Sequence, residues 1–152
     1  MSDQNIEILK KETYLKAIEN SIGSKIFNSL FVKFKDTNKV SDILNDGEYS
    51  CAFFVSGILF LVQMVDKTAA TVKSLKESIE KNSKWEKVDL ENIIEGDVIF
   101  WYPFKHDDGT ETPHVGFVSN KNEATSTDYK NKLITKRDIH ERKIESVYRF
   151  IW

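Results

Sequence analysis

The sequence is poor in cysteine and proline and has no strong excess of charge of either sign. Its 152 residues include one cysteine and two prolines, and 22 basic against 24 acidic residues give a net charge of -2. One cysteine cannot form an internal disulfide, which fits a reducing compartment and leaves one free thiol to explain. Because a basic surplus is typical of nucleic-acid-binding proteins, we expect no nucleic-acid partner.

The chain also lacks a recognisable secretory signal or membrane span. Residues 1–12 show no cationic segment followed by an apolar run. The longest apolar run, residues 52–64, contains Ser56 and Gln63 and is short for a bilayer-spanning helix. We therefore expect a single globular domain without a signal peptide, cytoplasmic by default, with release by lysis or another export route left open. The oligomeric state is not fixed by the sequence.

Helical periodicity dominates the first half of the chain. Apolar residues recur at three- and four-residue steps between residues 6 and 31, which predicts an amphipathic helix that breaks near Gly23. The turn-rich segment 35–47 is expected to hold one short helix between two loops. Residues 51–64 are apolar almost all round and predict a buried helix, and residues 69–81 predict a more exposed one.

The second half of the chain shows the two-residue alternation of strands. Turn signals separate five such segments: residues 85–88, 98–102, 115–118, 133–135 and 147–152. Helices followed by strands, without alternating crossovers, indicate an α+β domain in which N-terminal helices pack on an antiparallel sheet. Within this one domain, we expect an N-terminal helical extension at 1–46 and a core at 47–152.

Cys51 and His114 are the candidate catalytic residues. Cys51 opens the predicted buried helix, where unpaired N–H groups and the helix dipole favour a thiolate and lower the thiol pKa, and Ser50 is the candidate cap. His114 opens an apolar strand, and Gly116 leaves room beside it for substrate or for a packed helix. An imidazole can take the thiol proton and return it to a leaving group. The alternatives are a buried structural cysteine and a strand-edge histidine.

The remaining histidines give a weaker signal. His106 lies beside Asp107 and Asp108, a combination that can bind a metal, but no second pair of ligands has metal-site spacing. We therefore expect a hydrophilic loop tip there, with no metal and no cofactor. His140 is expected to be a solvated residue near a strand end.

Three motifs occur in order along residues 47–127. Gly-x-x-Ser-Cys-x-x-Phe-Val-Ser surrounds Cys51, Gly-Asp-Val-Ile-Phe-Trp occupies residues 96–101, and His-Val-Gly-Phe begins at His114. This ordered set resembles the NlpC-type cell-wall peptidase superfamily and its amidase relatives, which have a papain-like fold. The chain departs from that family at Ser-Cys-Ala-Phe, where Asp-Cys-Ser-Gly is usual, so the surroundings of the cysteine are altered and the resemblance does not fix the substrate preference.

The resemblance implies a papain-like cysteine hydrolase, either a peptidase or an amidase, whose usual substrate is an amide in a peptidoglycan stem peptide. It implies Cys51 as nucleophile, His114 as base and a third polar residue that orients the imidazole. By position, Ser126 takes the third place and Asp138 is the reserve candidate. Backbone N–H groups at the helix start would stabilise the oxyanion, with Tyr49 as the candidate side chain. The expected partner is a peptide or a peptidoglycan-like amide.

Two other functions stay open at this point. A relative that has kept the fold and lost hydrolysis would act as a binding or inhibitory module, which the altered flanks of Cys51 and the serine in the orienting position favour. The same Cys-His pair could also catalyse acyl transfer or deamidation. Iodoacetamide labelling tests the first alternative, and product analysis tests the second.

Overall fold

The computed structural model describes residues 5–152 as three helices packed on one face of an antiparallel sheet, with a separate small hairpin. In chain order, the elements are α1 (Lys10–Ser21), β1 (Phe31–Lys33), β2 (Val40–Asp42), α2 (Cys51–Leu61), α3 (Val72–Glu80), β3 (Trp85–Val88), β4 (Val98–Lys105), β5 (Glu111–Val118), β6 (Glu123–Asp128), β7 (Leu133–Asp138) and β8 (Ile144–Phe150). This confirms the predicted α+β class. Within the described part of the chain, no helix has both the length and the apolarity to cross a membrane.

The main sheet has six strands in the order β3-β8-β4-β5-β6-β7, and every neighbouring pair is antiparallel. β5 and β6 are paired at two positions only, Phe117 with Thr125 and Val118 with Ala124. The first half of β5 is therefore not paired with β6. His114 lies in the half of β5 that is not paired with β6, so its side chain can contact side chains of β6.

The first half of strand β4 is buried on both of its faces. Val98 and Phe100 pack into the cluster formed with the helices, whereas Ile99 and Trp101 pack into a second cluster on the opposite face. Side chains of consecutive strand residues point to opposite faces, so four apolar residues in a row fill two layers. Burying each such side chain stabilises the fold by about 1.5–3 kcal/mol.

Helix α2 is buried on most faces, as predicted, and packs against β5 and β6. Phe54 is fully buried and meets the ring of Phe117 edge-to-face, with centroids 5.4 Å apart. Tyr14 from α1 meets the same Phe117 ring at 5.7 Å. These contacts between aromatic rings fix the first turn of α2, and with it Cys51, against β5.

The Gly-Asp motif before β4 has a structural role. Gly96 has φ +89°, a conformation that favours glycine. Asp97 is 1% exposed and accepts the amide of Ile94 at 2.9 Å. Its two carboxylate oxygens also accept Nε of Arg149 at 2.8 Å and Nη2 at 2.7 Å. This bidentate pair ties the start of β4 to β8.

The N-terminal region differs from the prediction. α1 ends at Ser21, close to the break predicted at Gly23, but no helix continues to residue 31. Residues 31–42 instead form the β1–β2 hairpin, so the short helix predicted in segment 35–47 is wrong. The extension is a helix followed by a hairpin.

Asp42 accounts for this difference. Its carboxylate accepts three backbone amides from both sides of the hairpin, those of Leu30, Leu44 and Asp46, at 2.9–3.0 Å. The amides of Leu30 and Asp46 lower the pKa of Asp42 to about 2. Because these bonds join residues on the two sides of the hairpin, local periodicity does not reveal them.

Candidate active site

Cys51 and His114 line the same cavity, which has a volume of about 180 Å³. Cys51 is the first residue of α2 and His114 lies in β5, and their side chains are 8% and 7% exposed. The cavity is also lined by residues from loops and from strands β5 and β6, among them Tyr49, Thr112, Thr127, Tyr129 and Arg142. The fold thus brings together a thiol and an imidazole that are far apart in sequence.

The imidazole of His114 has two polar neighbours at Nε2. Ser126 Oγ lies 2.9 Å from Nε2 and donates its own proton to the carbonyl of Val115 at 2.6 Å. Arg137 Nη1 lies 2.7 Å from the same nitrogen. The ring of Trp101 lies against the imidazole with centroids 5.3 Å apart and an interplanar angle of 30°. These contacts hold the ring in one orientation.

Arg137 is the functional-site residue that sequence reasoning missed. It lies in β7, beyond the strand predicted at 133–135. Its Nη1 also donates to the carbonyl of Thr127 at 2.9 Å, and its guanidinium forms an ion pair with Glu141. No local pattern separates Arg137 from the other basic residues of the chain, because its contact with His114 arises only when β5 and β7 are brought together around β6.

The other predicted site residues are Tyr49, Ser126 and Asp138. Tyr49 lines the cavity and is 52% exposed, and a hydrogen bond with the side chain of Glu48 raises the pKa of its hydroxyl. Asp138 ends β7 and accepts the amide of His140 at 2.8 Å. It does not line the cavity. Of the two candidates for the orienting position, Ser126 is therefore the one in contact with His114.

Two local expectations are wrong. A Cβ at Gly116 would lie 2.8 Å from the carbonyl oxygen of Thr125 and 2.9 Å from Cβ of Ser126. The glycine therefore makes room for β6 and not for substrate or for a helix. Ser50 does not cap α2, because its hydroxyl donates to the carbonyl of Gly47 at 3.0 Å. Without a side-chain cap, the first N–H groups of α2 stay available to an oxyanion.

The remaining histidines lie outside this cavity. His106 Nε2 lies 2.7 Å from Thr112 Oγ1, and His140 is exposed, as predicted. Nowhere between residues 5 and 152 do three or more His, Cys, Asp or Glu side chains come together as a possible metal site.

The pKa of the Cys51 thiol is raised, which is opposite to the expected direction. Burial raises this pKa more than its neighbours lower it. The backbone N–H groups of Val115 and Ala52 and the charge of Arg142 all favour the thiolate but do not outweigh burial. The thiol is therefore neutral in the ligand-free molecule at neutral pH.

The pKa of His114 is lowered well below its usual value. Burial is the largest cause, and the charges of Arg137 and Arg142 lower it further. At neutral pH, His114 is therefore uncharged. The resting site contains a neutral thiol and a neutral imidazole, without a thiolate-imidazolium pair.

This depressed histidine pKa predicts an acid-sensitive fold. Between the ordinary value of about 6.5 and the lower folded value, the unfolded chain binds the extra proton, so the free energy of unfolding falls as pH falls. One proton gives a slope of up to about 1.4 kcal/mol per pH unit. Urea unfolding between about pH 7 and pH 5.5 measures it, with His114→Gln as the comparison. Equal slopes for the two proteins would contradict the burial of a neutral His114.

Comparison with known proteins supports the fold. By sequence, the chain matches no protein family and no curated protein. By structure, it is similar to a Staphylococcus aureus subsp. aureus Mu50 protein described as similar to lipoprotein, NLP/P60 family, with a TM-score of 0.56 and 14% identity. The similarity covers 100% of this chain and 45% of that protein, so the chain spans less than half of its length.

The fold can be assigned from this likeness. This protein has a distant NlpC-like fold, in which a buried helix that begins with a cysteine packs against an antiparallel sheet. At 14% identity, the likeness shows the fold alone. Activity has to be argued from the site.

Proposed function

We propose that this protein is a papain-like cysteine hydrolase that cleaves an amide bond. The observation that carries the proposal is the shared cavity, which exposes the thiol of Cys51 at the start of α2 and the imidazole of His114 to the same space. A nucleophile and a base within one cavity are the minimum for amide hydrolysis by a thiol. The NlpC-like fold is in accord with this reaction.

In the proposed reaction, the Cys51 sulfur attacks the carbonyl carbon of the amide while the thiol proton passes to His114. The first N–H groups of α2 donate to the oxyanion, as no side-chain cap occupies them. The imidazolium then gives its proton to the leaving nitrogen, and the C–N bond breaks. Water, deprotonated by His114, hydrolyses the thioester and restores the free thiol.

The proposed substrate is a peptide or a peptidoglycan-like amide. The cavity wall combines hydroxyl groups and apolar surface with one basic side chain, Arg142, and one acidic side chain, Glu48. Arg142 Nη1 donates to the carbonyl of Thr112 at 3.1 Å, and among residues 5–152 no carboxylate lies within ion-pairing distance of Arg142. A carboxylate near the scissile amide would therefore find a partner here.

The test is to incubate the protein with peptidoglycan fragments and with a panel of peptide amides, and to identify the products by mass spectrometry. Because Cys51 is the only cysteine, iodoacetamide modifies one site, and the alkylated protein is the matched control. We expect new amine and carboxylic acid products that disappear after alkylation. Acyl products on an added amine would indicate transfer, and released ammonia would indicate deamidation. Turnover that survives alkylation would exclude the proposed nucleophile.

A non-hydrolytic binding module is the second candidate. The contact of Arg137 with Nε2 and the raised pKa of the Cys51 thiol favour it, because the first opposes an imidazolium and the second opposes a thiolate in the resting molecule. This candidate predicts that fragments bind without turnover. Slow reaction of Cys51 with iodoacetamide near pH 6 is expected for both candidates, because the resting thiol is neutral, so binding without turnover is the result that distinguishes them.

A further inference from the structure

We propose that Arg137 holds the site in a resting state by fixing His114 in the tautomer that cannot accept the Cys51 proton. Arg137 is a positioning residue in this proposal, since it acts through the imidazole and does not line the cavity. The inference rests on the proposed function of Cys51 and His114. It adds a reason why the ligand-free protein contains a neutral pair.

The contact with Arg137 determines which nitrogen of the imidazole carries the proton. A guanidinium has donors only, so the 2.7 Å contact between Arg137 Nη1 and His114 Nε2 requires a lone pair on Nε2. A neutral imidazole carries one proton, and that proton therefore lies on Nδ1. In the described part of the chain, Nδ1 has no hydrogen-bond partner. Because Arg137 and Ser126 occupy Nε2, we assign the proton transfer from the thiol to Nδ1. A protonated Nδ1 cannot take the proton of Cys51.

Ser126 favours the opposite tautomer of His114. Its hydroxyl proton is directed to the carbonyl of Val115 at 2.6 Å, so Oγ presents a lone pair to Nε2 at 2.9 Å. An oxygen lone pair suits a protonated Nε2 and not an unprotonated one. Arg137 and Ser126 therefore compete for His114, one favouring the proton on Nδ1 and the other favouring it on Nε2.

Activation exchanges these two partners. Nη1 of Arg137 leaves Nε2, while Glu141 retains the guanidinium through its ion pair. Solvent takes the proton from Nδ1 and supplies one to Nε2 once Nη1 has left it, so the imidazole stays neutral. Nε2–H then donates to Ser126 Oγ, and the free Nδ1 takes the proton of the Cys51 thiol as the sulfur attacks the substrate. Arg137 thus separates the resting site from the active site.

The test compares Arg137→Met with Lys136→Met. Lys136 precedes Arg137 on β7, its side chain points to the other face, and it is 51% exposed, so its replacement removes the same charge without touching the site. Nitrogen-15 NMR of the histidine rings reports the tautomer, and His114→Gln assigns the signals of His114. We expect a proton on Nδ1 in the wild type and in Lys136→Met, and on Nε2 in Arg137→Met.

Hydrolysis gives the second measurement. Because a hydrogen bond to a charged group shifts an equilibrium by roughly ten- to a hundredfold, we expect Arg137→Met to raise kcat/KM by about that factor. Lys136→Met should leave it unchanged. A residue that only supported β7 would instead lower the rate together with the melting temperature when removed.

Several results would overturn the proposal. A wild-type His114 with its proton on Nε2 excludes it, and this measurement does not depend on whether Arg137→Met folds. A folded Arg137→Met that keeps the proton on Nδ1, or that shifts the tautomer and hydrolyses its substrate more slowly, also excludes it. If the tautomer shifts as expected while no form of the protein cleaves any amide, the control by Arg137 stands and the hydrolase function fails.

Discussion

Replacing Cys51 by alanine is expected to lower the rate of amide hydrolysis by about 10⁴-fold or more, because it removes the atom that forms the acyl intermediate. The remaining helix start and cavity would still bind substrate, so the loss should appear in kcat more than in KM. Single-turnover assays with the most reactive amide of the panel measure the two effects separately.

Cys51→Ser is the matched control for shape. Its hydroxyl keeps a polar group at the start of α2, but a neutral imidazole with a lowered pKa is a poor base for an alcohol. We expect a loss close to that of the alanine variant. Both variants should unfold within about 1 kcal/mol of the wild type, since the side chain removed is small. Hydrolysis retained in Cys51→Ala would show that the nucleophile lies elsewhere.

Replacing Arg149 by methionine is expected to destabilise the fold by about 3–5 kcal/mol. Asp97 is 1% exposed, and Arg149 binds both of its carboxylate oxygens. Removing the cation leaves a carboxylate in the interior with only the amide of Ile94 as a partner. Unfolding in urea, with the midpoint and slope fitted together, measures the loss.

Lys87→Met provides the comparison for Arg149→Met. Lys87 lies on β3, the strand that pairs with β8, and is exposed without an ion pair in the described part of the chain. Its replacement should change the free energy of unfolding by no more than about 0.5 kcal/mol. A loss of similar size in both variants would mean that the buried pair contributes no more than a surface charge does.

Much of the fold could be predicted from local pattern. The apolar run over residues 51–64 predicted α2, which ends at Leu61. The alternation near residues 98, 115, 133 and 147 predicted strands that the structure confirms, most of them longer than expected. β6 was expected from the resemblance and not from alternation. The predictions of α2 and of these strands depend on the spacing of apolar residues, which shows which face of a segment is buried.

The N-terminal hairpin shows where local pattern fails. Leu30 and Phe31 continue the helical spacing of α1, and yet β1 begins at Phe31. The hydrogen bond from the amide of Leu30 to Asp42, twelve residues along the chain, holds the two sides of the hairpin together against the helical propensity of this segment. Such bonds form only after the chain has turned back on itself.

The candidate site, like the fold, could be predicted from the sequence only in part. The ordered motifs selected Cys51, His114 and Ser126, and the structure places the first two around one cavity with the third against the imidazole. Whether these residues catalyse hydrolysis stays a prediction. The motifs did not indicate Arg137, because a single arginine in a polar strand is a common surface feature.

The sequence by itself determined the elements that carry periodicity, the single thiol at the start of a buried helix, and the histidine within an apolar strand. The tertiary structure decided the protonation of that pair. Burial raises the pKa of Cys51 and lowers that of His114, and Arg137 reaches Nε2 across β6. The physical reason is that desolvation and charge-charge distances depend on what surrounds a group in space, whereas the helix-start argument considers only its neighbours along the chain.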